Sequence, residues 1–352
     1  MIRTIARLIL VLLLSSAGHA QTTPSALGRD SSHTTCLPTG VCLDPAGASF
    51  AVGNMPLGMV LSPEGDRLVL SLNGWRQQGL QVVDRNTGAV VQTISQPGAF
   101  LGLAFSNDGS TLYASGGNED VIYRYAWRDK QAVPVDTIVL APKEPGKDGT
   151  RYPARIALSR DGKRLYVAEN LADSLAVVDL DTRRVVQRLA TEAYPYDVAV
   201  APNGDVYVSA WGGTTVSWFV AGDGSTLKER SRIAVGRHPS ALLFNSGGSR
   251  LFVASASTNR IAVIDTRTGR PQKPLLDPPP AGPNEGSTPN GLALSRDGSR
   301  LYVAEADNNA VAVFQLSART SGISGLREPS RLIGRIPTEW YPAALFMARE
   351  SI

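Results

Sequence analysis

SRDGKRLYVAE at residues 159–169 and SRDGSRLYVAE at residues 295–305 differ in one letter of eleven, and they begin 136 positions apart. Self-similarity at a fixed period marks a repeated structural unit, and it decides the architecture before any single element is read. The same cadence of apolar run, glycine turn and second apolar run recurs elsewhere. It appears as GMVLSPEGDRLVLSL from Gly58, GLAFSNDGSTLYASG from Gly102, DVAVAPNGDVYVSAW from Asp197 and ALLFNSGGSRLFVAS from Ala241. The turn glycines Gly65, Gly109, Gly162, Gly204, Gly248 and Gly298 lie 44, 53, 42, 44 and 50 residues apart, so the two near-identical stretches are three repeats removed.

Each copy continues into a third run, such as LAVVDLDTR or IAVIDTRTG, and a fourth, such as VVQRLA or RLIGRIPT. Alternating Val, Ile and Tyr broken by D-G, N-G and T-G pairs is the chemistry of strands and hairpins. Four short strands in about 40–45 residues make one blade of a β-propeller. No segment holds apolar residues at three-and-four spacing long enough for a helical solenoid. The expected fold is therefore all-β, a seven-bladed β-propeller with six complete four-stranded blades and an incomplete seventh shared by the N- and C-termini. The seventh is read from WYPAALFMA at Trp340, which repeats the lead-in AYPYDVAVA at Ala193, and from GVCLDPAGASFAVGN (40–54) as a lone outer strand. These two ends are expected to pair and close the ring.

The first 20 residues stand outside the pattern. MIRTIARLILVLLLSSAGHA carries Arg3 and Arg7, an apolar run from Leu8 to Leu14 and small residues ending at Ala20, which is the make-up of a cleaved secretory leader. That run is too short for a hydrocarbon core needing about 20 residues. The expected organisation is signal peptide 1–20, flexible leader 21–38 and one propeller domain 39–352, in a periplasmic or secreted protein. In an oxidising compartment Cys36 and Cys42 are expected to form a disulfide closing a small loop. The formal charge is +4, of which Arg3 and Arg7 supply two. So small an excess argues against nucleic acid and against anionic membrane surfaces as partners.

The repeats, with LYVAE at 165–169 and LYVAEADNNAVAV at 301–313, resemble the YVTN-repeat propellers, the YncE-like and lactonase-like group, over roughly residues 50–350. A narrower likeness is to secreted bacterial two-part proteins in which such a propeller precedes a phosphoesterase domain. NGWRQQGLQVVD (73–84), LGLAFSNDGSTLYASGGN (101–118), AYPYDV (193–198) and PTEWYPAAL (337–345) carry it. That likeness implies a truncated or split member, with a phosphoesterase domain or a neighbouring chain as its docking partner. It further implies that the DNA beyond codon 352 encodes the remaining strands and then the metal-dependent domain.

Successive strands run up and down, so turns alternate between the two faces of the disc. The SRDG-type and NTG-type turns share one face. The opposite face holds the irregular pieces: the loops between second and third strands, and the x-Pro lead-ins RYPAR (151–155), AYPYD (193–197), RHPSA (237–241), STPNG (287–291) and WYPAA (340–344). A ligand is expected there, at the mouth of the central channel. The candidate lining is Asn73, Trp75, Asn118, Arg155, Glu169, Asn170, Tyr196, Asp197, Trp211, His238, Asn290, Glu305 and Trp340. Tyr152, Tyr194 and Tyr341 stand on the same face. Aromatic walls with a few polar groups suit a small molecule or a peptide, whereas carboxylates and amides together could hold a divalent cation such as Ca²⁺. Asp84, Asp179 and Asp265 precede the turns between third and fourth strands and are read as turn caps.

With only His33 and His238 beyond the signal peptide, a histidine-rich zinc site and a two-metal phosphoesterase core are excluded. No G-x-S-x-G elbow accompanies His238, and the glycine turns are hairpins, which excludes a phosphate cradle. The expectation is a module that binds a ligand or partner on its irregular face, with no catalysis of its own and no required cofactor. The alternative is a metal-assisted lactone hydrolase, as the lactonase-like resemblance implies.

Overall fold

The computed structural model describes residues 35–36, 42–75, 77–222, 226–279, 286–317 and 329–347. The expected signal peptide lies outside these residues, as does most of the leader. The chain divides into two units, Met1–Asp44 and Pro45–Ile352. In the first, strands Thr35–Cys36 and Cys42–Leu43 pair antiparallel, and the Cys36–Cys42 disulfide closes them. Among the described residues no helix is long and apolar enough to cross a membrane.

The second unit is a β-propeller. Blade one is Pro56–Leu61, Arg67–Asn73, Gln78–Asp84 and Val90–Ser95; blade two is Leu103–Phe105, Thr111–Ser115, Val121–Arg128 and Gln131–Val139. Blade three is Pro153–Leu158, Arg164–Glu169, Ser174–Asp179 and Arg184–Ala190; blade four is Pro195–Val200, Val206–Ala210, Thr215–Ala221 and Leu227–Ala234. Blade five is Pro239–Phe244, Arg250–Ser255, Arg260–Asp265 and a broken outer edge, Arg270–Pro271 and Leu275–Leu276. Blade six is Pro289–Leu294, Arg300–Glu305, Ala310–Gln315 and Arg331–Pro337. Within every blade the strand order follows the sequence and neighbours are antiparallel.

The opening stretch explains one blade and, by repetition, the rest. Ser159 Oγ accepts the Arg164 N–H and donates to Asp161, whose carboxylate takes the Lys163 N–H. Gly162, at φ 70°, turns the chain in the left-handed region. Ser295, Asp297 and Gly298 repeat the device in blade six. Asp179 accepts the Thr182 N–H and hydroxyl and pairs with Arg164, so its role is the turn cap read from the sequence. Between turns, the second and third strands bury both faces: Leu165, Val167, Leu175 and Val178 are wholly inaccessible. They pack against the neighbouring blade, as Leu175 and Val177 do with Val208 and Phe219 at the seam of blades three and four.

At the seventh position the structure differs from the expected pairing of the two ends. Residues 341–347 take no strand assignment and lie against Gly291 of blade six, where an added Cβ would meet Ala343 O at 3.3 Å. Residues 45–55 form a strap: Ala46 N donates to Pro337 O (3.0 Å) at the outer strand of blade six, and Gly53 N donates to Gln81 Oε1 (2.8 Å) in blade one. The physical reason is that each terminal segment finds hydrogen-bond acceptors on a complete neighbouring blade.

Candidate functional site

Two backbone devices build the mouth of the channel. The first is a left-handed residue ahead of a lead-in proline, before the inner strands of blades one and three to six and again at the seventh position: Met55 (φ 50°), Tyr152 (51°), Tyr194 (54°), His238 (52°), Thr288 (45°) and Tyr341 (55°). Non-glycine residues seldom adopt this region, and a residue before proline normally prefers extended backbone. Hydrogen bonds from the preceding blade hold it in place. Asp120 Oδ1 accepts the Tyr152 N–H (2.8 Å), Asp173 Oδ1 that of Tyr194 (2.9 Å) and Asn309 Oδ1 that of Tyr341 (2.9 Å). On the other side, the carbonyls of Tyr152, Tyr194 and Thr288 accept the N–H groups of Asn170, Trp211 and Ala306.

The second device is a register shift directly after the proline, between Pro56 and Gly58, Pro153 and Ile156, Pro195 and Val198, and Pro289 and Gly291. A bulge re-aims the side chains it carries. Leu57, Arg155, Tyr196 and Asn290 occupy these shifts, and all four face one cavity of about 620 Å³. The left-handed residues Met55, Tyr194, Thr288 and Tyr341 complete its wall with Phe100, Asn170, Trp211 and Ala343.

A run of rings crosses this mouth. Tyr152 and Phe100 meet edge-on at 5.1 Å, Phe100 and Tyr196 at 6.2 Å, Tyr196 and Trp211 lie 5.5 Å apart, and Trp211 stacks on His238 at 5.2 Å. Burial pushes the Tyr152 and Tyr196 phenols above their usual range, so both remain hydroxyl donors at neutral pH. Among the described residues that line the cavity, Arg155 is the one with a charged side chain. Beneath it Asp197 is buried, with Oδ1 accepting the Val198 N–H, Oδ2 accepting the Leu242 N–H and the Arg155 guanidinium 3.8 Å away. Desolvation raises its pKa, and Arg155 opposes that rise. Asn290 lines the cavity, and its Oδ1 is buried behind that surface without a hydrogen-bond partner.

Of the residues singled out from the sequence, Arg155, Asn170, Tyr196, Trp211 and Asn290 line the cavity, His238 backs Trp211, and Asp197 supports Arg155 from below. The others go elsewhere. Asn73 Nδ2 donates to Ala99 O (2.6 Å) and Asn118 Oδ1 accepts the Gly149 N–H (2.9 Å), both as inter-blade ties. Trp75 is 97% exposed and Trp340 59%, and neither borders the cavity. Glu169 and Glu305 do not reach the mouth: each is fully buried, paired with Arg188 (2.8 Å) and Arg335 (2.7 Å) of the outer strand in its own blade. With Asp120 and Asp197 committed to backbone N–H groups, the acidic ligands for a rim Ca²⁺ do not converge. No group of three or more His, Cys, Asp or Glu that could hold a metal ion occurs among the described residues. The sequence reading missed Met55, Leu57, Phe100 and Thr288. The repeated x-Pro step was its visible signal, since Met55 and Thr288 precede prolines as Tyr194 does.

The family model described as "Lactonase, 7-bladed beta-propeller" matches residues 102–210. The fold is a β-propeller, similar to that family over these residues. No curated protein sequence matches this chain. Among solved structures, the periplasmic gluconolactonase PpgL of Pseudomonas aeruginosa aligns at TM-score 0.64 and 15% identity, covering 89% of this chain and 94% of that one. Hydrazine synthase of Kuenenia stuttgartiensis aligns at TM-score 0.62 and 18% identity, covering 85% and 91%. Virginiamycin B lyase of Staphylococcus aureus aligns at TM-score 0.57 and 13% identity, covering 81% and 84%. These likenesses establish the architecture, and one propeller serves many chemistries.

Proposed function

We propose that this lactonase-like propeller is an exported binding module whose central mouth takes a small molecule bearing a flat or ring-shaped body and an anionic group. The observation that carries this reading is the pairing of a continuous aromatic wall with Arg155 as the one charged side chain among the described lining residues. Rings present apolar faces and hydroxyl tips to a ligand body, and a guanidinium flanked by amides recognises carboxylate or phosphate oxygens. Export is supported by the N-terminal leader composition and by the Cys36–Cys42 disulfide.

Tryptophan fluorescence, titrated with small carboxylates, sugar phosphates and sugar lactones, tests this. A saturable change lost in Trp211→Ala and at least about tenfold weaker in Arg155→Ala, a difference of about 1.4 kcal/mol, is expected. Unchanged affinity in both variants would refute the placement.

The second reading is lactone hydrolysis. It is favoured by the family match, whose residues 102–210 include Arg155, Asn170, Tyr194 and Tyr196 of the lining. Acid release from gluconolactone by the purified protein, abolished in Arg155→Ala, would select this reading; binding without release selects the first.

A further inference from the structure

Blades three and six carry the same buried ion pair, yet their surroundings differ in two ways. In blade three Glu169 accepts from Arg188 and from the Ser174 hydroxyl (2.7 Å), and Arg188 Nη2 also donates to Leu140 O (2.7 Å). In blade six Glu305 accepts from Arg335, but its register partner is Ala310, where blade three has Ser174. The hydroxyl donor is gone. The residue in the place of Leu140 is Asp277, as its backbone shows: Leu140 N donates to Asp120 O, and Asp277 N donates to the corresponding Asn259 O. An apolar neighbour has become a second carboxyl.

Asp277 and Glu305 are both fully buried. Arg335 Nη2 stands 3.6 Å from Asp277 Oδ1, and neither Asp277 carboxyl oxygen has a donor in the structure. Among the described residues, the charged groups that face Asp277 are Glu305 from the second strand of blade six and Arg335 from its outer strand. Arg260, opposite Leu276 in blade five, is exposed to solvent. Ala310 and Ala312 bring no charge. Two carboxylates against one guanidinium would leave a net negative charge in a closed interior, and such groups take up a proton instead. That proton supplies the donor that Ala310 removed.

We propose that Asp277 keeps a proton beside the Glu305–Arg335 pair, and that this proton makes the junction of blades five and six a pH-responsive element connected to the ligand mouth. The connection is short. Asp277 O accepts from Ser287 Oγ (2.8 Å), Ser287 N donates to Asn259 Oδ1 (2.9 Å), and the next residues are Thr288 and Asn290 of the cavity wall. Losing the proton places a bare charge at the root of this lead-in.

Burial and the neighbouring Glu305 push the Asp277 carboxyl from its usual 3.8 to about 8. Between those values the folded chain holds a proton that the unfolded chain releases, so stability falls as pH rises through that window and levels off above it. Thermal unfolding from pH 5 to 8 of the whole protein, with Asp277→Asn and with Asp277→Leu (the blade-three residue), tests the proposal. The wild-type midpoint is expected to fall more steeply than that of either variant, leaving the variants several degrees more stable at pH 8. At that pH the amides of 287–291 are expected to exchange faster in the wild type. Variants that decline as steeply as the wild type would overturn the idea. If neither variant folds, carbon NMR of labelled aspartate in the wild type decides: a buried carboxyl titrating near pH 8 supports it, and every aspartate being ionised at pH 6 refutes it.

Discussion

Asp197 shows how much one side chain can tie together. Its two oxygens satisfy N–H groups on the inner strands of blades four and five, and its charge steadies Arg155 beneath the cavity. Replacing it with Ala strands the buried Leu242 N–H, so Asp197→Ala is expected to cost about 1–3 kcal/mol in urea unfolding. Asp197→Asn, which keeps an acceptor, is expected to cost less. Trp211→Ala, by contrast, removes a wall that faces open space and is expected to shift ligand affinity more than the unfolding midpoint. Residue identity at the mouth was partly legible in the sequence because aromatic and amide residues clustered beside each x-Pro step. The two glutamates were not legible as ion-pair partners. Glu169 ends a strand beside a loop motif, and its partner Arg188 lies 19 residues on; Glu305 and Arg335 are 30 apart. Only the strand register brings them together.

Hairpins and ion pairs act on the scale of the strand. The turn carboxylates sit below their usual range because hydroxyl and N–H donors converge on them: Asp297, held first by Ser295, falls to about 2, and Asp108 and Asp161 move the same way. A depressed carboxyl stabilises the fold above its unfolded value, and that stability is lost as pH falls through the folded one. Acid unfolding is therefore expected to steepen between about pH 4 and 2, and Asp297→Asn to flatten that part of the thermal unfolding profile. On the outer strand of blade three, Arg188→Leu would leave Glu169 charged and enclosed. Breaking a buried pair this way is expected to cost about 3 kcal/mol in chemical denaturation, whereas Arg188→Leu combined with Glu169→Gln is expected to recover much of the loss. Strand positions and turns could be read from alternation and glycine spacing. The register shift after each proline could not, because a bulge adds a residue without leaving a mark in the alternation.

Across the whole molecule, each blade packs through its buried strands on the next, as in any array whose units contact only their neighbours. Repetition made that plan readable from the sequence. The seventh position was less so, because its segments find partners on flanking blades and not in each other. With no strand ladder over 341–347, its amides are expected to exchange faster in native-state hydrogen exchange than those of the inner strands of blades three to five. Equal protection there would indicate a paired strand. The left-handed residues ahead of the prolines have a wider consequence. At Met55, Tyr194 and Tyr341 the hydrogen bonds that hold this conformation are made by the main chain, with Asp173 and Asn309 as partners at the two tyrosines, and not by the side chains carried there. Evolution, or a designer, can therefore rewrite Met55, Tyr194 or Tyr341 to suit a new guest while the chassis underneath stays intact, which makes diversification at the mouth and conservation of the wheel separable tasks.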